Sequence, residues 1–282
     1  MSATRDELIA AITAEFASFG GTGGVAAKHL GTGEEIRVNA DVQTGTASTI
    51  KVPILIELFR QVEFGKHSLL DRMTVGTMTP GSGILRDLTS GIQLSIRDVA
   101  VLMIVVSDNT ATNMLIDLLG LDRINQTMAQ AGFPGTRLVN RLDFPKIGPD
   151  VKNLAVTTPG ELAGIMEELA KGTILSRESC RQIIEIMQMQ HYRDLTPRYL
   201  PFNPYAEELG IPDNGLRIAN KTGGWTSFRA DMALIEWPGT QYSIGIVTEA
   251  DPDTRFWSEN NGDKTIGRIS RLIFEYWDGA SL

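Results

Sequence analysis

The sequence predicts an α/β fold of the α+β type: an antiparallel sheet built from an N-terminal hairpin and C-terminal strands, flanked by terminal helices, with an inserted all-α subdomain. Three observations lead there. A helix and a two-strand hairpin open the chain. Residues from Ser48 to Gln190 are mostly of helical period. Three short strand-like runs and a helix close it. If the first and last strands share a sheet, residues 1–45 and 212–282 form one subdomain and residues 46–211 the other, two lobes of one compact domain. The cleft between such lobes is the natural place for a site.

Each element has its own warrant. In "MSATRDELIAAITAEF", Thr4 and Glu7 form a capping-box pattern, and Leu8, Ile9, Ile12 and Phe16 continue at helical spacing. The stretch lacks the basic and apolar regions of an export signal, so a cytoplasmic protein is expected. Val25–Leu30 and Glu35–Asn39 read as strands around Gly31-Thr32-Gly33. Gly21-Thr22-Gly23 resembles the start of a nucleotide loop, but it follows a helix and opens a strand, the reverse of the context that loop needs. Helices are expected over 48–64, 95–106, 110–119, 122–131, 158–171 and 176–190. Ser95 with Asp98, and Thr158-Pro159 with Glu161, mark two of the starts. Glycine- or proline-rich breaks fall at 79–83, 132–135 and 145–149. "LRIANKTGG", "RADMALIEW" and "YSIGIVTEA" read as strands, with Trp237-Pro238-Gly239-Thr240 turning between the last two. "TIGRISRLIFEYW" supplies the closing helix.

Composition narrows the function. With 26 basic and 34 acidic residues the formal charge is -8, and no Lys/Arg cluster stands out. Such a chain has no general attraction for nucleic acid or anionic lipid, and no apolar stretch is long enough to span a bilayer, so neither partner is expected. Cys180 is the single cysteine, which excludes an intramolecular disulfide and a four-cysteine zinc site. His29, His67 and His191 show no metal-ligand spacing, and no metal or cofactor is expected. No G-x-S-x-G elbow occurs.

Three short patterns carry chemistry. The first lies in "ASTIKVPILIEL", where Ser48 precedes Lys51 by three residues at the start of an apolar run. On a helix these two share a face, and a lysine with a lowered pKa can take the proton of a serine hydroxyl. A helix N-terminus at Ser48 would also favour a developing oxyanion. The second is Ser107-Asp108-Asn109, between two helical runs, which also fits an ordinary helix cap. The third is Lys221-Thr222-Gly223-Gly224, at the end of a strand, where glycines permit close approach by a ligand. A solvated edge strand and turn would read the same way.

Together and in this order, the three patterns resemble the signature set of class A β-lactamases and penicillin-binding proteins, over nearly the whole chain. The resemblance implies roles. Ser48 would form an acyl-enzyme, Lys51 would be its proton partner, and Ser107 would pass a proton to the leaving nitrogen. Asn109 would orient Lys51 and the substrate amide. Lys221 and Thr222 would bind a carboxylate or similar anion. The N–H groups of Ser48 and Gly224 would form the oxyanion hole beside Gly223. Arg229 is a further candidate for the substrate anion, an ordinary surface arginine being the other reading. In "TPGSGILRDL", Ser82 and Ile84 are candidates for substrate contact. The implied partner is a small amide, lactam or ester carrying an anionic group.

One departure stands out. Class A β-lactamases carry a loop glutamate that activates the deacylating water. Here Arg141, Leu142 and Asp143 match the start of that loop and Thr157-Thr158-Pro159 its end, with no glutamate between them. Lys146 stands about where it is expected, and Asp150 is the one further carboxylate inside. The expectation is a serine hydrolase of an amide or lactam. An esterase or D-amino peptidase of the same fold, or a non-enzymatic acyl trap or ligand sensor, remain alternatives.

Overall fold

The computed structural model describes residues 4–278. Positions 1–3 and 279–282, which the sequence assigns to the sheet-bearing subdomain, lie outside the described residues. The opening helix runs Arg5–Phe19, and its capping box is formed: the Thr4 side chain accepts from the Glu7 N–H while Glu7 accepts from the Thr4 N–H. A five-stranded antiparallel sheet follows the expected plan. From one edge its strands are Glu35–Val38, Thr22–His29, Thr240–Glu249, Phe228–Trp237 and Arg217–Trp225. The ends of the chain meet where Thr22–His29 pairs with Thr240–Glu249, Val25 opposite Ile246.

Side-chain alternation decides which face meets what. Ala233, Ile235, Ile244 and Ile246 pack against Ile12 and Phe16 of the first helix and Ile266, Ile269 and Ile273 of the last, Asn261–Asp278. Ala230, Met232, Leu234 and Val247 point the other way, into the helical lobe. That second core runs without a break from the sheet to Leu55, Met103, Leu115 and Ile165, so the two lobes share one interior. Gly245 permits the contact. A Cβ there would sit 2.4 Å from the Pro159 carbonyl oxygen and 2.6 Å from Leu162 Cβ, so the helix Pro159–Lys171 lies directly on the strand.

The helical lobe holds Lys51–Glu63, Ile96–Val105, Asn109–Leu119, Leu121–Gln130 and Arg177–Gln188. The expected helix at 48–64 divides in two: a 3₁₀ turn at Ala47–Ile50, then the α-helix from Lys51. Two small ribbons also occur. Arg72–Thr74 pairs with Gln93–Ser95, and Ala155–Thr157 lies between Thr44–Gly45 and Arg137–Leu138. Among the described residues no helix is long and apolar enough to cross a membrane.

Candidate active site

The site lies where the helical lobe meets the outer strand of the sheet. Ser48 sits half-buried in the 3₁₀ turn, just ahead of the buried helix that begins at Lys51. The turn is pressed against the Lys221-Thr222-Gly223 strand. A Cβ on Gly223 would lie 2.6 Å from the Thr46 carbonyl oxygen and 3.0 Å from the Ser48 nitrogen, so a glycine is required. Ala47, the residue before Ser48, holds φ at 44°, and Ser107 across the cleft holds 54°. Left-handed backbone at a non-glycine residue is costly and persists where surrounding structure enforces it, often at functional sites.

Lys51 is completely enclosed. Its Nζ donates to the Ser107 carbonyl at 2.6 Å and to Asn109 Oδ1 at 2.9 Å, and it lies 3.0 Å from Ser107 Oγ. Burial drives its pKa well below the ordinary lysine value, and the nearby Lys221 charge pushes the same way, against an opposing pull from Asp108. Lys221 is equally buried. Its pKa is lowered to about 7 by burial, with Asp231 opposing, and its Nζ donates to the Thr222 carbonyl at 2.9 Å.

The segment at 79–85 braces this cluster. Ser82 Oγ donates to the Ser107 carbonyl at 2.7 Å, and Asn109 Nδ2 donates to the Pro80 carbonyl at 2.9 Å. Asp108, between two site residues, faces away from them. Its carboxylate accepts from the Ile84, Leu85 and Ala111 N–H groups at 2.7, 2.8 and 2.9 Å, so it ties the segment to the start of the Asn109–Leu119 helix.

Ser48 opens onto two cavities. One, of about 260 Å³, is lined also by Ser107, Thr222, Gly223, Gly224, Arg229 and Ser82, with Tyr192, Asp194, Leu195, Phe256 and Asp263. The other, of about 600 Å³, shares Ser82, Gly224 and Phe256 with it and extends against Asn109, Leu142, Phe144, Gly148, Leu154 and Trp225. Phe144 and Trp225 stack there at 5.2 Å.

The residues singled out in the sequence therefore come together: Ser48, Ser82, Ser107, Thr222, Gly223 and Gly224 line one cavity, with Lys51, Asn109 and Lys221 bonded directly behind or beside them. Ile84 lines neither cavity. Arg229 is not a surface arginine. It is buried, with Nε on Asp263 at 2.8 Å, its terminal nitrogens on the Trp225, Phe228 and Arg255 carbonyls, and Phe256 over its face. Lys146 and Asp150 are exposed and line neither cavity. Sequence reasoning missed Asp194, Phe256 and Asp263, which no motif marks. Among the described residues no group of three or more His, Cys, Asp or Glu side chains is arranged to hold a metal ion.

Comparison with known proteins follows the same geometry. The family model described as the β-lactamase enzyme family matches residues 7–277. A β-lactamase of Rhodobacter capsulatus is 25% identical over 230 residues, 78% of this chain and 72% of that protein. The crystal structure of a β-lactamase from Sphaerobacter thermophilus superposes with a TM-score of 0.86 at 31% identity, covering 99% of this chain and 100% of the other. The structure of PBP-A superposes at 0.82 with 29% identity, over 97% of this chain and 96% of that one.

Proposed function

This chain belongs to the β-lactamase enzyme family and is a serine β-lactamase-like hydrolase; from that premise we propose that Ser48 is its nucleophile and that its substrate is a cyclic or linear amide, a β-lactam or a related compound. The convergence of Lys51 with Ser107 and Asn109 beside Ser48 carries the reading.

The electrostatics support a base role for Lys51. Burial lowers its pKa and so favours the neutral amine, a form with two hydrogens and one lone pair. The hydrogens suit the Ser107 carbonyl and Asn109 Oδ1, which only accept. The lone pair is left to receive a proton, directly or through the Ser107 hydroxyl 3.0 Å away. As Ser48 Oγ bonds to the substrate carbonyl carbon, its proton passes to this amine. The C–N bond then breaks, and the proton returns through Ser107 to the leaving nitrogen. The N–H groups of Ser48 and Gly224 receive the oxyanion, where Gly223 admits close backbone approach. Thr222 binds an anionic group of the substrate, and Lys221, buried behind it with its Nζ on the Thr222 carbonyl, adds positive charge below about pH 7. Ser82 holds the Ser107 turn, and Arg229 supports the wall behind Thr222 from its buried position.

Hydrolysis of the acyl-enzyme is the weaker step. The loop wall facing Ser48 is Leu142, Phe144, Gly148 and Leu154, with no carboxylate to activate water. A β-lactam adduct should therefore persist, while a linear amide or ester could still turn over. That apolar wall also favours a second reading, a module acylated by β-lactams that keeps the adduct. A single-site variant of PBP-A has been captured as an acyl-enzyme with penicillin G. The test is incubation with nitrocefin, a penicillin and a p-nitrophenyl ester, following product release and intact mass together. Sustained release supports the hydrolase, and a stable adduct on Ser48 without release supports the trap. Failure of every probe to label or turn over, or labelling that survives Ser48→Ala, would overturn the reading.

A further inference from the structure

The smaller cavity is acidic where a purely anionic substrate would need it to be basic. Three of its lining residues carry charge: Asp194, Asp263 and Arg229, for a formal net charge of -1. Arg229 offers little to a ligand, because Asp263 and three backbone carbonyls already engage its guanidinium. Lys221 is fully buried behind Thr222 and is not part of the lining. Asp194 is exposed, and its carboxylate accepts no hydrogen bond from the described residues and forms no ion pair with them. Two aromatic rings, Tyr192 and Phe256, share the lining, and Phe256 stands 71% exposed at the mouth. Carboxylates and aromatic faces together suit an ammonium or amidinium.

Resting on the hydrolase reading above, we propose that Asp194 is a specificity-determining residue, selecting substrates that carry a cationic group alongside the anion seated at Thr222. The substrate class is then a zwitterionic amide or lactam. A carboxylate bonds Thr222, and an amine lies further along the same cavity, within reach of Asp194 and the Phe256 and Tyr192 rings. A substrate with the carboxylate alone meets the unpaired carboxylate of Asp194. Asp263 is largely compensated by Arg229 at 2.8 Å and acts through that pair.

The experiment measures the second-order rate of Ser48 acylation by thiol release, with intact mass followed alongside, using two thioester depsipeptides identical except that one leaving group bears a carboxylate alone and the other a carboxylate with a primary amine. The zwitterionic probe should react about fivefold faster at low salt, the size of an exposed charge pair, with the ratio shrinking in 0.5 M salt. Asp194→Asn should bring the ratio close to one, and Asp194→Lys should invert it. Equal rates for the two probes in the native protein, or a preference that Asp194→Lys leaves intact, overturns this proposal while leaving the hydrolase reading in place. Failure of both probes either to label Ser48 or to release thiol in the native protein overturns the hydrolase reading itself, and this proposal with it.

Discussion

The two walls of the cleft are built on opposite principles. On the Lys51 side, buried polar groups are knit into a network: Lys51 to Ser107 and Asn109, Ser82 to Ser107, Asn109 to Pro80, Asp108 to three backbone N–H groups. On the loop side, the surface facing Ser48 is Leu142, Phe144 and Leu154, and the loop's own polar groups serve its fold instead. Asp143 caps the short Phe144–Ile147 helix and Asp150 caps the turn that follows. The difference teaches that the two halves of an acyl-transfer cycle are separable. On the proposal that Ser48 is the nucleophile, one wall is organised to form an ester while the other offers no carboxylate to cleave it.

The largest effect should come from the organised wall. Lys51→Met should lower the rate of Ser48 acylation by about 1,000-fold or more, since positioned proton transfer contributes roughly 100- to 10,000-fold, read by stopped-flow with nitrocefin. A loss below about tenfold would show that some other group takes the proton.

Next in size is the brace beneath that wall. Asp108→Ala leaves three backbone N–H groups without their acceptor. It should cost about 2–3 kcal/mol, seen as a lowered urea midpoint at unchanged slope, and should slow acylation as well. Gly83→Ala probes the same joint at φ 105°, where a Cβ would lie 2.2 Å from Asp108 Oδ2. It should be destabilising by about 1–3 kcal/mol in the same assay.

The apolar wall can be tested by giving it what it lacks. Phe144→Glu places a carboxylate in the larger cavity and should speed hydrolysis of a penicillin adduct by about tenfold, with acylation less affected. An unchanged adduct lifetime would mean that the wall's chemistry is not what limits the step.

The smallest effect is one of pH. Lys221 has its pKa lowered to about 7, so its ammonium is present below that value and lost above it. KM for a carboxylate-bearing substrate should rise as pH increases through 7. The acylation rate should fall on the acid side instead, where Lys51 becomes protonated below its depressed pKa. A KM that falls between pH 6 and 8 would contradict the assignment of Lys221.

Much of this was legible beforehand because the sequence states it locally. The capping boxes at Thr4–Glu7 and Ser95–Asp98 are four-residue patterns, and both are formed. The alternation in "ADMALIEW" marks a strand with two different faces, and the two cores divide along it. The catalytic candidates were legible because they sit in short motifs, and they converge where the Ser48 turn packs on Gly223 and Lys51 bonds to Ser107 and Asn109. Other features had no local signal. Two-residue strands such as Thr44–Gly45 and Arg137–Leu138 are too short to show a period. The left-handed backbone at Ala47 is imposed by packing against Gly223, and alanine gives no hint of it. Arg229 looked equally suited to surface or ligand, and the Asp263 that engages it lies 34 residues away. Asp194, Phe256 and Asp263 come from three separate segments and become neighbours only through the fold.

The central claim is that this chain is equipped to acylate Ser48 and poorly equipped to release a β-lactam from it. Quench-flow with a penicillin, sampled by intact mass, separates the two rates in one measurement. Stoichiometric adduct on Ser48 should form much faster than it decays. Decay as fast as formation, with the free protein dominating throughout turnover, would contradict it, as would a protein that stays unmodified while the penicillin remains intact.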